Sequence, residues 1–292
     1  MFVGMARMTV RIPSPPDFNL RSTVRSHGWS DLPPFDTDRT GDTLHVRLGR
    51  ASATVTRTGP DLVAVLESSG RLAAADRHAA VAAIRSCLRL DLDLTEFWEL
   101  CRKDPALAWA HRRRAGRLLR APTAWEDAVM MLATTNCSWA LTRRIVASLV
   151  EHWGENGALP TKDRLARISA DDLRRHGRLG YRAPYLAALA RGPDLETLRT
   201  DPAPTDEMYR RLLALPGFGP YAAGNLLRLL GRFEHLALDS WVAKAWKQRF
   251  PRRKSTEAAI SRRLERHYGA YRGLAFWLLV TKAWYDREVW RI

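Results

Sequence analysis

The sequence predicts an α+β protein in which a small antiparallel β-sheet precedes an all-helical body. Two observations carry this. Short β-prone runs with period-two alternation are confined to the first 75 or so residues, and a helical period takes over after Asp76 and persists to the C-terminus. The expected division is residues 1–75 as the β part and 76–292 as the helical part, with the sheet packing against the last helices.

The β-prone runs are 43–48, 52–58 and 62–66, punctuated by Gly41-Asp42, Gly49-Arg50 and Gly59-Pro60. The helical segments that follow are 76–90, 95–101, 123–135, 138–153, 169–176 and 182–190, then 205–215, 220–230, 240–250, 255–268 and 271–285. Two of the starts are signposted by capping-box spacing, Thr123 with Glu126 and Ser169 with Asp172.

A chain of 292 residues with 46% hydrophobic content can bury a sizeable core. No run of about 18 apolar residues occurs, and the first residues carry Arg7 and Arg11 with no sustained apolar stretch. We therefore expect a soluble cytoplasmic protein, nucleoid-associated if bacterial, with no membrane partner and a monomeric state. Cys87, Cys101 and Cys137 are odd in number and widely spaced, which supports neither a disulfide framework nor a zinc or iron–sulfur site with close ligand spacing. Buried free thiols are expected instead. The net charge of +16 is unevenly placed: the first hundred residues balance 12 basic against 12 acidic side chains, so the whole excess falls later. Such asymmetry favours a polyanionic partner, although an Arg-rich solvated surface would look the same.

The most informative stretch is Leu213-Ala214-Leu215-Pro216-Gly217-Phe218-Gly219-Pro220-Tyr221-Ala222-Ala223-Gly224, between two helical patterns. Two glycines allow a very tight turn, Pro220 suits the first turn of a helix, and the small residues let two helices approach. Amides at such a helix start can bind a phosphate without a basic side chain. An ordinary helix–turn–helix connection could carry the same letters.

This segment resembles the hairpin of the helix-hairpin-helix (HhH-GPD) DNA glycosylases, the superfamily that includes endonuclease III, 3-methyladenine glycosylase II and the eukaryotic 8-oxoguanine glycosylase. The resemblance implies a two-lobed helical glycosylase body acting on double-stranded DNA that contains a damaged base. It implies that the amides of Gly217, Gly219 and Tyr221 clamp phosphate, with Phe218 and Ala222 on the same DNA-facing hairpin. It also implies a monovalent Na+ or K+ held by the carbonyls of Leu213, Leu215 and Phe218, with no further cofactor. In this superfamily an Asp at the start of a helix follows about 20 residues after the hairpin, and Asp239 in Leu238-Asp239-Ser240-Trp241 fits that position. A lone Asp there reads as a helix N-cap; after such a hairpin it reads as the catalytic carboxylate, and the two roles are compatible.

Two further loops resemble the 8-oxoguanine branch. Asn136, ending Ala133-Thr134-Thr135-Asn136, takes the position of the residue that fills the space left by a flipped nucleotide. In Leu179-Gly180-Tyr181-Arg182-Ala183-Pro184-Tyr185, Tyr181 takes the place of the wedge and Arg182 that of the reader of the orphaned base. Pocket candidates are His27 and Trp29, in the segment Ser26-His27-Gly28-Trp29, together with Tyr221, Asn225 and Val280. Trp139, Trp241, Trp277 and Trp284 offer further stacking surfaces.

The main departure from the pattern is Tyr221, where bifunctional members carry a lysine that attacks the sugar. Tyrosine cannot form a Schiff base. Lys244, Lys247 and Lys282 sit in helical patterns that suit phosphate contacts or solvent. The expectation is thus a monofunctional glycosylase that uses water and leaves an abasic site. Tyr221 favours an alkylated purine as its substrate, whereas Asn136 and the Gly180-Tyr181-Arg182 loop favour an oxidised guanine. A non-catalytic DNA-binding protein is the reading from another class, and Asp239, which phosphate binding does not require, argues against it. No four-cysteine cluster follows the hairpin, which disfavours an iron–sulfur cluster.

Overall fold

A computed structural model describes residues 5–252 and 256–288, with the side chains of Ser240 and Trp241 excepted. The sheet has five strands, β1 (Ala6–Pro13), β2 (Phe35–Thr37), β3 (Thr43–Leu48), β4 (Ala51–Thr58) and β5 (Asp61–Ser68). Their order is β1-β5-β4-β3-β2, antiparallel at every pairing. The three expected strands are β3, β4 and β5, whose tight turns place Leu44, Val46, Ala53, Val55, Leu62, Ala64 and Leu66 on one buried face. β1 and β2 were not expected. In β1, Met8, Val10 and Ile12 alternate with exposed Arg7, Thr9 and Arg11 and pair across to Leu66, Ala64 and Leu62.

The chain then becomes helical. The helices are α1 (Leu20–Val24), α2 (Ala74–Cys87), α3 (Thr95–Lys103), α4 (Ala108–Arg113), α5 (Ala124–Thr134), α6 (Trp139–Trp153) and α7 (Lys162–Ala166). They continue with α8 (Ala170–His176), α9 (Ala183–Arg191), α10 (Thr205–Leu213), α11 (Pro220–Leu230), α12 (Ser240–Arg249), α13 (Glu257–Tyr268) and α14 (Arg272–Asp286). The short helices α1, α4 and α7 were not anticipated, and the expected start of α13 at Ser255 lies outside the described residues. α2 stops three residues early because Arg89 takes a left-handed conformation, φ 51°. Among the described residues no helix is long and apolar enough to cross a membrane.

The expected caps form. Thr123 and Glu126 make a reciprocal capping box at α5. At α8 only half of one forms: Ser169 accepts the Asp172 amide, while the Asp172 carboxylate takes the Ser169 hydroxyl instead of a backbone donor.

What matters for the site is how the segment between β1 and β2 leaves the sheet and enters the helical body. The Leu119 amide donates to Ser26 Oγ at 2.9 Å, and the indole of Trp277 on α14 donates to the Ser26 carbonyl at 2.9 Å. Trp29 donates to Asp127 Oδ1 on α5 at 2.8 Å, and Asp127 also accepts from the Ala121 amide and Arg199. Arg25 reaches the carbonyls of Arg287 and Glu288 beyond α14. The turn at Gly28–Asp31 is thereby pinned against α5 on one side and α14 on the other.

Candidate active site

α10 and α11 form a hairpin around Gly217, which has φ +77°. A Cβ on Gly217 would lie 2.7 Å from Leu132 and 2.9 Å from Tyr185, so its lack of a side chain is what lets the hairpin tip dock onto α5 and α9. Phe218 is buried and its amide closes the turn onto the Leu215 carbonyl at 3.0 Å. Gly219 is the N-cap of α11 and has open space in front of it. Among the described residues the amides of Gly217, Gly219 and Tyr221 have no hydrogen-bond partner within the protein. That is the donor set of an anion site at a helix start. Ala222 is fully buried, so its methyl group belongs to the core rather than to a DNA-facing surface.

α11 ends at Gly231, φ +89°, and the chain turns back along it. It returns past Gly224, where a Cβ would meet that of Ala237 at 2.7 Å. This close passage brings Asp239 beside the start of α11. Asp239 caps α12, its Oδ1 accepting the Val242 amide at 2.6 Å.

Behind the hairpin lies a cavity of about 490 Å³. His27, Trp29, Tyr221, Asn225 and Asp239 all line it, so three separate stretches of sequence converge there. Trp139, Trp277 and Trp284 complete much of its wall. Val280 does not contribute. On α14 Val280 shares the face of Trp277 and Trp284, three residues from one and four from the other, but its short side chain packs against the core while the two indoles line the cavity. The side chain of Trp241 lies outside the described residues.

Burial dominates the electrostatics of this cavity. His27 is enclosed and its Nε2 lies 2.5 Å from the Leu119 carbonyl, which fixes that nitrogen as the donor. Desolvation pulls its pKa down to about 4, with the Arg228 charge adding to the effect, so the ring is neutral at pH 7. The Tyr221 phenol is pushed up by burial and by Asp239, partly offset by a hydrogen bond with Thr134. No lysine lines the cavity among the described residues. Lys282 is paired with Asp286 at 2.5 Å, and Lys244 and Lys247 are exposed on α12.

The loop candidates behave differently from one another. Asn136 is exposed with φ 45°, a conformation asparagine tolerates, and its neighbours Cys137 and Ser138 line the cavity. Cys137 is therefore half-buried at the cavity, not a core thiol, unlike Cys87 and Cys101. Tyr181 is 51% exposed near the same loop, its hydroxyl 3.3 Å from the Thr135 carbonyl. Arg182 departs from the expected reader of an orphaned base. Only 3% exposed, its guanidinium donates to the carbonyl and hydroxyl of Thr135 and lies over the Tyr181 ring at 4.5 Å. As placed, it ties the two loops together.

Sequence reasoning missed Arg228. It is buried, lines the cavity, and donates to Asn225 Oδ1 at 2.8 Å and to the Leu236 carbonyl at 2.7 Å. Its signal was available: Tyr221, Asn225 and Arg228 sit at i, i+4 and i+7 on one stripe of α11, and the arginine is flanked by Leu226, Leu227 and Leu229.

No family model matches the chain. Among curated proteins it is 25% identical, over 212 residues, to a probable N-glycosylase/DNA lyase from Methanothermobacter thermautotrophicus, a match spanning 62% of this chain and 67% of that protein. Among solved structures it is similar to the 3-methyladenine DNA glycosylase of Archaeoglobus fulgidus, with a TM-score of 0.74, 18% identity and coverage of 94% of this chain and 98% of the other. The Clostridium acetobutylicum 8-oxoguanine glycosylase/lyase gives 0.72 at 16% identity, covering 96% and 100%. The chain thus has the helix-hairpin-helix glycosylase fold over nearly its whole length.

Proposed function

We propose that this protein is a monofunctional DNA glycosylase that rotates a damaged purine out of duplex DNA and hydrolyses its N-glycosidic bond, leaving an abasic site. The observation that carries the reading is the placement of Asp239 at the edge of a tryptophan-walled cavity directly behind a phosphate-ready hairpin. Excision needs those three parts together. A base inside the stack is out of reach, so the backbone must be gripped, the base received in a pocket, and the sugar met by a carboxylate as positive charge develops on it. Asp239 stabilises that charge and orients the water. Tyr221 stands where a Schiff-base lysine would be required, and among the described residues no lysine lines the cavity, which supports hydrolysis without strand cleavage.

The hairpin also fits the monovalent cation that such a clamp implies. Among the described residues the carbonyls of Leu213 and Phe218 accept no hydrogen bond, and Leu215 accepts only the Phe218 amide. Leu213 ends α10, where the helix dipole favours a cation. These three carbonyls would hold Na+ or K+, which would supply positive charge near the bound phosphate.

Duplexes bearing single damaged bases, incubated with the protein and then treated with alkali, test the reading. Breaks that appear only after alkali are expected. Breaks without alkali, or covalent trapping by borohydride, would contradict the monofunctional assignment. Binding without excision of any alkylated or oxidised purine would favour the non-catalytic alternative.

A further inference from the structure

Resting on the glycosylase reading, we propose that Arg228 selects the base by charge. The cavity takes neutral damaged purines, which leave as anions, and rejects purines alkylated at N3 or N7, which are already cations.

A guanidinium at this place is expensive. Arg228 is 3% exposed among buried leucines, and its hydrogen bonds go to an amide oxygen and a backbone carbonyl. Its Nε is buried with no partner, and among the described residues it makes no ion pair. Burying a charge without a directly paired opposite charge costs more than a neutral donor would need to hold Asn225 and Leu236. The guanidinium lies 4.9 Å from the ring centre of Trp277, which also lines the cavity, so its field reaches whatever stacks there. Burial lowers its pKa only to about 10, so it stays charged at neutral pH. The neutral His27 adds no charge, Asp239 is the carboxylate whose field reaches Arg228, and Arg287, just beyond α14, is the other cationic residue lining the cavity and acts in the same sense as Arg228.

The chemistry of departure makes this charge selective. When the C1′–N9 bond of a neutral purine breaks, its electron pair leaves on the base, which becomes an anion spread over its ring and acceptor atoms. Water adds to C1′, one of its protons passes by way of Asp239 to solvent, and the base anion takes up a proton. A fixed guanidinium stabilises the anion as it forms. A purine alkylated at N3 or N7 departs as a neutral molecule and gains nothing from that charge. It must also be carried into the cavity as a cation, against the same field.

Single-turnover base release can be measured by chromatography from duplexes carrying one 8-oxoguanine, hypoxanthine or 1,N6-ethenoadenine, all neutral, and from one carrying N7-methylguanine. Wild-type protein should release at least one neutral base and spare N7-methylguanine. Arg228→Gln should slow neutral-base release by about 10²- to 10³-fold, the scale of losing one preorganised charge-stabilising donor, without slowing release of N7-methylguanine. Arg228→Lys should keep the preference for neutral bases. Thermal melts monitored by circular dichroism establish that each variant is folded, and the wild-type comparison stands without any variant. N7-methylguanine released as fast as the neutral bases, or an equal loss on both classes in Arg228→Gln, would overturn the role of Arg228 while leaving the glycosylase reading intact. Release of no base at all by the wild type would overturn the glycosylase reading itself.

Discussion

On the proposed function Asp239 has two duties, capping and catalysis, and one substitution separates them. Its Oδ1 accepts the Val242 amide at 2.6 Å and so caps α12, while its charge faces the cavity. Asp239→Asn keeps an oxygen able to cap and removes only the charge, so the folding free energy should move by no more than about 0.5 kcal/mol. The catalytic loss should be large. A carboxylate about 4 Å from a developing positive charge, at an effective dielectric near 20, contributes about 4 kcal/mol, and about 1.4 kcal/mol corresponds to each tenfold in rate. Excision should therefore fall by roughly 10³-fold. Asp239→Ala loses the cap as well and should cost about 1 kcal/mol of stability in addition. The assay pairs single-turnover excision with urea unfolding of each variant. Unchanged excision in Asp239→Asn would refute the assignment of the carboxylate, and an equal loss of stability in both variants would refute the separation of its duties.

Gly219→Asp should leave the fold intact, because Gly219 is an N-cap with negative φ and open space before it, where aspartate is favoured. It would set a negative charge against phosphate and weaken binding to all duplexes alike by about fivefold, the effect of about 1 kcal/mol of repulsion; fluorescence anisotropy showing unchanged affinity would remove the hairpin from the DNA clamp. Gly28→Ala would place a methyl group 2.3 Å from the Trp139 ring, which Asp31 holds by a 3.0 Å hydrogen bond. Moving that ring should cost about 1–3 kcal/mol and reshape the cavity wall, so an unchanged melting temperature would show the contact to be soft. His27 makes stability depend on pH. Its folded pKa of about 4 lies below its ordinary 6.5, so the unfolded chain binds more protons between these values, and the stability present above pH 6.5 is lost as pH falls toward 4. Glu126 and Asp127, raised by burial to about 7 and about 6, oppose this by favouring the folded state as pH falls. His27→Gln removes only the first effect, so the free-energy difference from wild type should shift in the variant's favour by about 2–3 kcal/mol between pH 7.5 and 4.5. A difference independent of pH in urea titrations would contradict a buried neutral ring.

Local signals account for what the sequence disclosed. The three inner strands β3, β4 and β5 are joined by tight turns whose glycines are visible one at a time, and the long helices announce themselves by period and caps. β1 escaped notice because its partner is β5, about 55 residues further along, and nothing local marks a strand whose pairing is that distant. In the site, the hairpin turn and the Asp239 helix cap were legible as backbone geometry, because conformation restricts which residues can stand there. Arg182 was misjudged for the opposite reason. A long side chain can reach solvent or protein from one backbone position, and only the packed structure shows that Thr135 takes its donors. Val280 lies on the same face of α14 as Trp277 and Trp284, and a hydrophobic pattern does not show that the two long indoles reach the cavity while the shorter valine packs against the core.

The interval between the hairpin and Asp239 has a physical origin that makes the motif more than a coincidence of letters. α11 has 11 residues and carries the chain about 16 Å away from Tyr221 at 1.5 Å per residue. To place a carboxylate beside Tyr221 the chain must cover that distance again in the reverse direction. Extended residues advance about 3.3 Å each, so at least five are needed for the return, and the turns at Gly231 and Ala237, both with positive φ, consume several more. The nine residues from Gly231 to Asp239 are close to the shortest path that also leaves room for Leu236 to accept from Arg228. The path is fixed laterally by Gly224, since any larger residue would push Ala237, and Asp239 with it, away from the cavity. Shortening the return would strand the carboxylate along α11, and lengthening it would let the carboxylate drift from Tyr221. The spacing is therefore the length of one helix out and one strap back, and on the proposed function that length is what brings the phosphate clamp and the carboxylate to the same nucleotide.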